Sequence, residues 1–170
     1  ACVAGKQTRV PIVRDREKER AESLGEKVDM DIVGPMSPGG KLGERFYLSL
    51  YDEATMVISN SPMRQKSESL DAIKSYCLAL SMHPRVLQSD QDTVFKASVF
   101  SKWCSDHNIL QQFSAIYRPE QNGGAERCNR TGLDAARTML KASGLPLSFW
   151  PHAVQAAAFV RNRTPRQALD

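Results

Sequence analysis

Residues 117–130, Tyr-Arg-Pro-Glu-Gln-Asn-Gly-Gly-Ala-Glu-Arg-Cys-Asn-Arg, join a loop to the start of a helix. The first half is rich in Pro, Asn and Gly, which is typical of a loop, and the second half predicts a helix with Glu126 about one turn in. Two more acids, Asp31 and Asp90, stand upstream in short apolar segments. Three carboxylates from distant parts of one chain predict a divalent-metal site for chemistry on phosphates.

The first of these acids lies in an alternating segment. Between residues 28 and 33 apolar side chains alternate with Asp29 and Asp31, which predicts a strand with both carboxylates on one face. Gly34-Pro35 is expected to end that strand. Either acid could be a solvated edge residue, and the Ile-Val-Gly-Pro that follows favours Asp31 as the functional one.

Further patterns predict the remaining elements. Two β-prone runs, 45–51 and 54–60, look like a hairpin that Pro62 ends, and Ser67 is expected to cap the next helix. Later come a strand at 85–89, a helix at 95–107, a strand at 109–113 and a helix at 147–163. The helix at 95–107 is expected to bury Phe95, Val99, Phe100 and Trp103. The order β-β-β-α-β-α-β-α predicts a layered α/β fold with some antiparallel pairing.

Composition sets broad limits. With 170 residues, 41% hydrophobic and 25% charged, the chain suits one domain with tails. It has no apolar run of about 20 residues, so we expect a soluble protein without a membrane partner. The net charge of +4 permits a polyanionic partner. Its four cysteines are widely spaced, which favours a reducing compartment over a disulfide framework.

The sequence around each acid resembles a known family. Asp31 in Asp-Ile-Val-Gly-Pro, Asp90 in Leu-Gln-Ser-Asp and Glu126 in Gly-Gly-Ala-Glu-Arg-Cys-Asn-Arg are similar to the three acids of retroviral-type integrase cores. The closest resemblance is to integrases of copia-type retrotransposons. It continues through Phe149-Trp150 and Asn162-Arg163-Thr164-Pro165, and so covers nearly the whole chain. The fold that it implies is ribonuclease H-like, a five-stranded mixed β-sheet flanked by helices.

The resemblance also implies a function and a site. The function is that of a DDE-type integrase, which trims retroelement DNA 3′ ends and joins them to target DNA by two-metal-ion phosphoryl transfer. The implied catalytic residues and metal ligands are Asp31, Asp90 and Glu126, with Mg²⁺ or Mn²⁺ as cofactor. The expected partners are element-end DNA, target DNA and further copies of the protein.

A basic stripe on the helix of Glu126 predicts where DNA would bind. Its members fall at steps of three and four residues: Arg127, Arg130, Asp134, Arg137 and Lys141. By itself such a stripe is more often solvated surface, and its position beside the predicted metal site is what favours a phosphate backbone as its partner. The expected DNA contacts are Gln121, Asn122, Gly123, Arg127 and Arg130.

One turn departs from the family pattern and keeps other functions open. The family usually has Asp-Asn-Gly followed by Glu-Phe, whereas this chain has Asp90-Gln91-Asp92-Thr93-Val94-Phe95. Three alternatives remain. One is a ribonuclease H, which normally uses a fourth carboxylate and cuts RNA–DNA hybrids. Another is a cut-and-paste transposase, and the third is a decayed or host-adopted copy that binds DNA or serves as a structural subunit.

The resemblance implies a domain layout as well. Residues 1–26 are expected to be a linker carrying the end of a zinc-binding module, 27–165 the integrase catalytic core, and 166–170 the start of a C-terminal extension. Cys2 alone is not expected to hold zinc, because a structural zinc site needs about four ligands. The expected location is the nucleus during integration, and a virus-like particle or the cytoplasm before it.

Overall fold

A mixed five-stranded sheet forms the centre of the molecule. The computed structural model describes residues 21–114 and 123–165, apart from the side chains of 123–126. The strands are β1 (Lys27–Val33), β2 (Phe46–Asp52), β3 (Ile58–Met63), β4 (Val86–Ser89) and β5 (Leu110–Phe113), in the order β3-β2-β1-β4-β5. Pairs β1–β2 and β2–β3 are antiparallel, and pairs β1–β4 and β4–β5 are parallel. This arrangement makes β1 the central strand and confirms the prediction of a mixed sheet.

Within the described residues, four α-helices cover the sheet. They are α1 (Ser69–Leu80), α2 (Ser98–Asp106), α3 (Gly123–Ser143) and α4 (Trp150–Arg161). Short 3-10 turns precede α1 at Lys66–Glu68 and α4 at Leu147–Phe149. The predicted order of strands and helices is therefore confirmed, and α4 corresponds to the helix predicted at 147–163.

The two faces of the sheet have separate cores. On one face, Val28 and Met30 of β1 pack with the buried side of α1 and α2, including Ile73 and Phe100. On the other face, Tyr47 of β2 packs with residues of α3 and α4: Ala136, Leu140, Trp150, Ala153, Val154 and Ala157. Because side chains alternate along a strand, Asp29 and Asp31 face the α3–α4 side.

Asp29 is not an edge residue. Its strand lies at the centre of the sheet, and the residue is only 1% exposed. The alternative in which Asp29 is a solvated edge acid is therefore wrong. Asp31, two residues further on, is half-buried. Asp31 lies nearer the end of β1, beyond the last residue of β1 that pairs with β4.

Glycine is required directly after β1. Gly34 has φ of +135°, and a Cβ added there would lie 2.6 Å from the backbone oxygen of Arg45. Residues with side chains rarely adopt such a conformation. The predicted end of β1 at Gly34 is confirmed, because the strand stops at Val33.

Pro62 does not end the hairpin. Strand β3 continues to Met63 and forms one edge of the sheet, where Pro62 pairs with Tyr47. The backbone N and O of Ile58 point outward from this edge, since they bond the side-chain amide of Asn162. Pro62 is four residues further along and so turns its nitrogen outward too, where no ladder hydrogen bond is lost.

Two details of the helices also differ from the predictions. Ser67 does not cap α1: it lies inside the 3-10 turn, and the N-cap residue is Glu68, which makes no side-chain capping bond. The turn supplies the partner instead, because the backbone N of Ser69 bonds the oxygen of Lys66. Val99 is 68% exposed, because α2 starts only at Ser98 and buries Phe100 and Cys104, at i and i+4.

Within the described residues, no helix combines the length and the hydropathy that a membrane crossing requires.

Candidate active site

Asp31 lies on the central strand under the α3–α4 side of the sheet. In the antiparallel register it pairs with Ser49 of β2, and Ser49 pairs in turn with Asn60 of β3. These three residues form a polar row across three strands, and the amide of Asn60 donates to the backbone oxygen of Val154 at 3.1 Å. The sheet therefore presents Asp31 in polar rather than apolar surroundings.

Asp90 directly follows β4, the parallel neighbour of β1. The parallel register pairs Val28 with Leu87 and Asp29 with Gln88. Asp31 and Asp90 each lie two residues beyond the last of these pairs, on the same side of it along the two parallel strands. Asp90 is exposed and Asp31 is half-buried. The strand that carries Asp31 and the strand that leads to Asp90 are thus neighbours in the sheet.

Helix α3 contacts Asp31 directly. It packs against β1 and β2, and the side-chain nitrogen of Asn129 donates to Oδ2 of Asp31 at 2.8 Å. Asn129 is only 7% exposed, so the contact is sheltered from water. Asn129 is not among the site residues predicted from the sequence. Its position three residues after Glu126, on the same side of a helix, is the signal that could have found it.

Glu126 belongs to the first turn of α3, but its side chain lies outside the described residues. Because Asn129 is one turn further along and touches Asp31, the backbone of Glu126 starts from the same side of the helix. Gln121 and Asn122 also lie outside the described residues, and Gly123 is the first residue of α3. Among the side chains that are described, no group of three His, Cys, Asp or Glu gathers into a metal site; Glu126 is not among them.

The basic stripe of α3 faces solvent. Arg127 and Arg130 are exposed, and so are Arg137 and Lys141 further along. Arg137 pairs with Asp134 at 2.9 Å, and both side chains are more than 60% exposed. An exposed pair of this kind contributes about 0.2–1 kcal/mol. The stripe is thus accessible to a polyanion at the end of α3 nearest Asp31.

The turn after Asp90 is closed by Asp92. Oδ1 of Asp90 accepts the backbone N–H of Asp92 at 3.1 Å, and Oδ1 of Asp92 accepts that of Val94 at 3.1 Å. Oδ2 of Asp92 accepts a hydrogen bond from Nζ of Lys66 at 2.6 Å. Burial raises the pKa of the Asp92 carboxyl, but the bonds from Lys66 and Val94 outweigh it and lower the pKa below its ordinary value of 3.8. Asp92 is therefore a charged structural member of the turn.

Tyr47 lies on the same face of the sheet as Asp31. Its ring contacts that of Trp150, with centroids 6.2 Å apart. Burial, followed by the negative charge of Asp31, raises the pKa of Tyr47 far above its ordinary value of 10.0. The phenol stays protonated at neutral pH, which excludes it as a base next to Asp31.

Known proteins share both the sequence pattern and the fold. No protein-family model matches the chain. The chain is 29% identical, over 172 residues, to the retrovirus-related Pol polyprotein from transposon TNT 1-94 of Nicotiana tabacum; the match covers 99% of this chain and 13% of the polyprotein. The chain therefore spans only about an eighth of that relative's length.

Two solved structures define the fold class. A chain of the simian T-cell lymphotropic virus intasome in complex with PP2A regulatory subunit B56 gamma superimposes with a TM-score of 0.71 and 17% identity, covering 89% of this chain and 53% of the other. The HTLV-2 integrase catalytic core domain in complex with magnesium, in its trimeric form, gives a TM-score of 0.59 and 17% identity, covering 80% and 84%.

The fold is thus the ribonuclease H-like α/β fold of integrase catalytic cores, as predicted. The resemblance is confirmed as a similarity: the chain is similar in sequence to one part of a retrotransposon Pol polyprotein and in fold to integrase catalytic cores.

Proposed function

We propose that this chain is the catalytic core of a retroelement integrase. It would trim the 3′ ends of element DNA and join them to target DNA by phosphoryl transfer. The observation that carries the proposal is the parallel β1–β4 pairing, beyond whose last pair, Asp29–Gln88, Asp31 and Asp90 each lie by two residues. The Asn129–Asp31 bond supports it, because this bond holds the helix that carries Glu126 against Asp31.

The acids fit a hard divalent cation. Carboxylate oxygens are the ligands that Mg²⁺ and Mn²⁺ prefer, and exposed Asp90 beside half-buried Asp31 leaves room for water and a phosphate. We assign Asp31, Asp90 and Glu126 as ligands of two such ions. Two bound ions would stabilise both the attacking and the leaving oxygen of an in-line displacement. The chain's own contribution is to hold the carboxylates: β1 and β4 fix their spacing and Asn129 orients Asp31.

Arg127 and Arg130 would place the DNA. Both are exposed within four residues of Glu126, and arginine pairs well with phosphate. Contacts to phosphates give affinity without sequence information, so binding to target DNA should depend little on its sequence. We assign Gln121, Asn122 and Gly123 to the DNA ends, because they lead directly into α3.

The similar proteins support the metal and the partners. The HTLV-2 core was solved with magnesium, in trimeric and dimeric forms, and the simian viral protein belongs to an intasome. By analogy this chain would use a divalent metal, bind DNA and work as a homo-oligomer within a longer protein. This likeness favours integration over ribonuclease H activity.

The test is resolution of a branched DNA in which an element end is already joined to target DNA. With Mg²⁺ or Mn²⁺ the protein should release the element end and reseal the target strand. The 3′ hydroxyl of the target strand attacks the phosphate at the branch point, and the element end leaves with a free 3′ hydroxyl. Asp90→Asn is the matched inactive control. Cutting of RNA–DNA hybrids without resolution would indicate a ribonuclease H instead. A folded but inactive parent protein that still binds DNA would indicate a decayed copy.

A further inference from the structure

The turn that carries Asp90 is attached to a distant part of the chain. Lys66 lies in the 3-10 turn before α1, and its Nζ is 2.6 Å from Oδ2 of Asp92. The Asp92 side chain is 17% exposed and that of Lys66 is 40% exposed. The pair is thus partly sheltered on the carboxylate side, where a missing counter-charge costs more than at an open surface.

The contacts run without a gap from Lys66 to Asp90. Lys66 holds one oxygen of Asp92, and the other oxygen accepts the backbone N–H of Val94. The backbone N–H of Asp92 then donates to Oδ1 of Asp90 at 3.1 Å. Asp92 is therefore held at its side chain while its main chain holds the carboxylate of Asp90.

A second set of bonds ties the same turn to β5 and its surroundings. Nε2 of Gln91 donates to the backbone oxygen of Ser114 at 3.4 Å, and Oε1 of Gln91 accepts from Nζ of Lys96 at 2.9 Å. These bonds fix Gln91 but do not touch the carboxylate of Asp90. Among the bonds described for Asp92, the residue that donates to Asp90, the contact with Lys66 is the one that comes from outside the turn.

We propose that Lys66 is a positioning residue for Asp90, acting through Asp92. Its ammonium neutralises Asp92 and fixes the turn, so that Oδ1 of Asp90 is held by the main chain and the carboxylate is presented to the metal in one orientation. Without Lys66 the Asp92 carboxylate would keep its charge two residues from Asp90, repel it, and lose its anchor. This inference rests on the proposed function, because Asp90 is assigned to the metal there.

The experiment compares Lys66→Met with the parent protein. The apparent Kd for Mn²⁺, measured by electron paramagnetic resonance without DNA, should rise roughly tenfold, as is usual when a residue behind a metal ligand is removed. In metal-free protein, hydrogen–deuterium exchange of the 90–97 segment should become faster. Lys66→Arg should restore both, because it keeps the charge.

Lys27→Met is the matched control. Lys27 also forms a 2.6 Å ion pair, with Glu53, but at the opposite end of β1 from Asp31. It should change neither the Mn²⁺ affinity nor exchange at 90–97. In an Asp92→Asn background, Lys66→Met should have a much smaller effect than in the parent, because the charge that it compensates is gone.

Each outcome decides a separate question. If Lys66→Met leaves both Mn²⁺ affinity and exchange at 90–97 unchanged, the positioning role is wrong. Equal loss of affinity in Lys27→Met would also overturn it, since the effect would then be general destabilisation. If Lys66→Met does not fold, the comparison of Lys66→Arg with Asp92→Asn decides. If the parent binds no Mn²⁺, the proposed function fails. Hydrogen–deuterium exchange in the metal-free protein still tests whether the Lys66–Asp92 contact holds the turn.

Discussion

The two ends of the central strand β1 both carry acids, and they are built differently. At the first end, Val28 pairs with Asp52, which is fully buried. The oxygens of Asp52 accept from the backbone N of Gly25 at 2.7 Å and from the N and Oγ1 of Thr55 at 2.8 and 2.7 Å. At the other end, Asp31 is half-buried and its neighbour Asp90 is exposed.

This difference separates a carboxylate that maintains structure from one that is available for chemistry. A buried carboxylate is tolerated only when hydrogen bonds replace those that it makes with water. Asp52 meets that condition through its bonds from Gly25 and Thr55. The acids at the other end keep access to solvent beside each other, which is unfavourable for two like charges unless a cation joins them. The comparison can be tested at both ends.

The largest effect is expected for Asp90→Asn or Asp31→Asn. Each removes a proposed metal ligand, so resolution of branched DNA should fall by at least about a hundredfold, since metal stabilisation of the transition state is worth several kcal/mol. The thermal midpoint in metal-free buffer should stay the same or rise, because like-charge repulsion is relieved. A variant that cuts at the parental rate would contradict the assignment.

At the end of β1 near Asp52, Asp52→Asn should have the opposite effect: it should lower stability and leave activity nearly unchanged. The amide that replaces one oxygen cannot accept the N–H of Gly25 or Thr55, so a buried donor loses its partner. The free energy of unfolding should fall by about 1–3 kcal/mol, which corresponds to a thermal midpoint lower by roughly 2–12 °C in a domain of this size. Activity per folded molecule should be close to that of the parent. Normal stability would show that Asp52 is not the structural acid of this comparison.

The end of β1 near Asp31 and Asp90 should also be the end that binds DNA. Replacing Arg127 and Arg130 by Ala should weaken binding to all DNA sequences alike and reduce the salt dependence by about one unit of slope per lost phosphate contact. Lys74→Ala is the control, because Lys74 is on α1, which covers the other face of the sheet. Filter binding over a range of salt measures both. An equal loss from Lys74→Ala would mean that only the overall charge matters.

The smallest effect concerns the buried thiol of Cys104 at high pH. Burial, and to a lesser degree Cys77, raise the pKa of the Cys104 thiol from its ordinary value of 9.0 to about 11. Between those values the unfolded chain has lost a proton that the folded chain keeps, so the free energy of unfolding should fall as the pH rises from 9 to 11. Denaturant titrations across this range measure the slope. Cys104→Ala should make it shallower, and an unchanged slope would assign the loss to other groups, such as buried Tyr47.

Much of the fold follows from the spacing of apolar residues and from the Gly and Pro residues between segments. The alternation around Asp31 predicted a strand with Asp29 and Asp31 on one face, and the structure has that strand at the centre of the sheet. The pairing of β1 with β4, which makes neighbours of Asp31 and Asp90, came from the family resemblance. Local pattern does not determine it, because it depends on contacts between residues about 60 apart.

The errors have local causes. Pro62 was expected to end a strand, which holds only where its missing N–H faces a partner strand. Ser67 has the side chain of a cap, but the 3-10 turn already satisfies the start of α1. Asn129 was missed because a helical pattern shows which residues share a side, and gives no distance to Asp31 on another element.

The side chain of Asn162 has a consequence for solubility. An edge strand offers unpaired backbone groups to any other extended chain, and so invites strand addition and aggregation. At Ile58 both groups are occupied, because the Asn162 amide donates to the oxygen at 2.8 Å and accepts from the nitrogen at 3.0 Å, as a neighbouring strand would. Four residues further on, Pro62 offers no N–H at all. The β3 edge is thus closed to intermolecular pairing at two of its outward positions. Ile58 is blocked by the side chain of Asn162, 104 positions away along the chain, and the other position is blocked by the ring of Pro62.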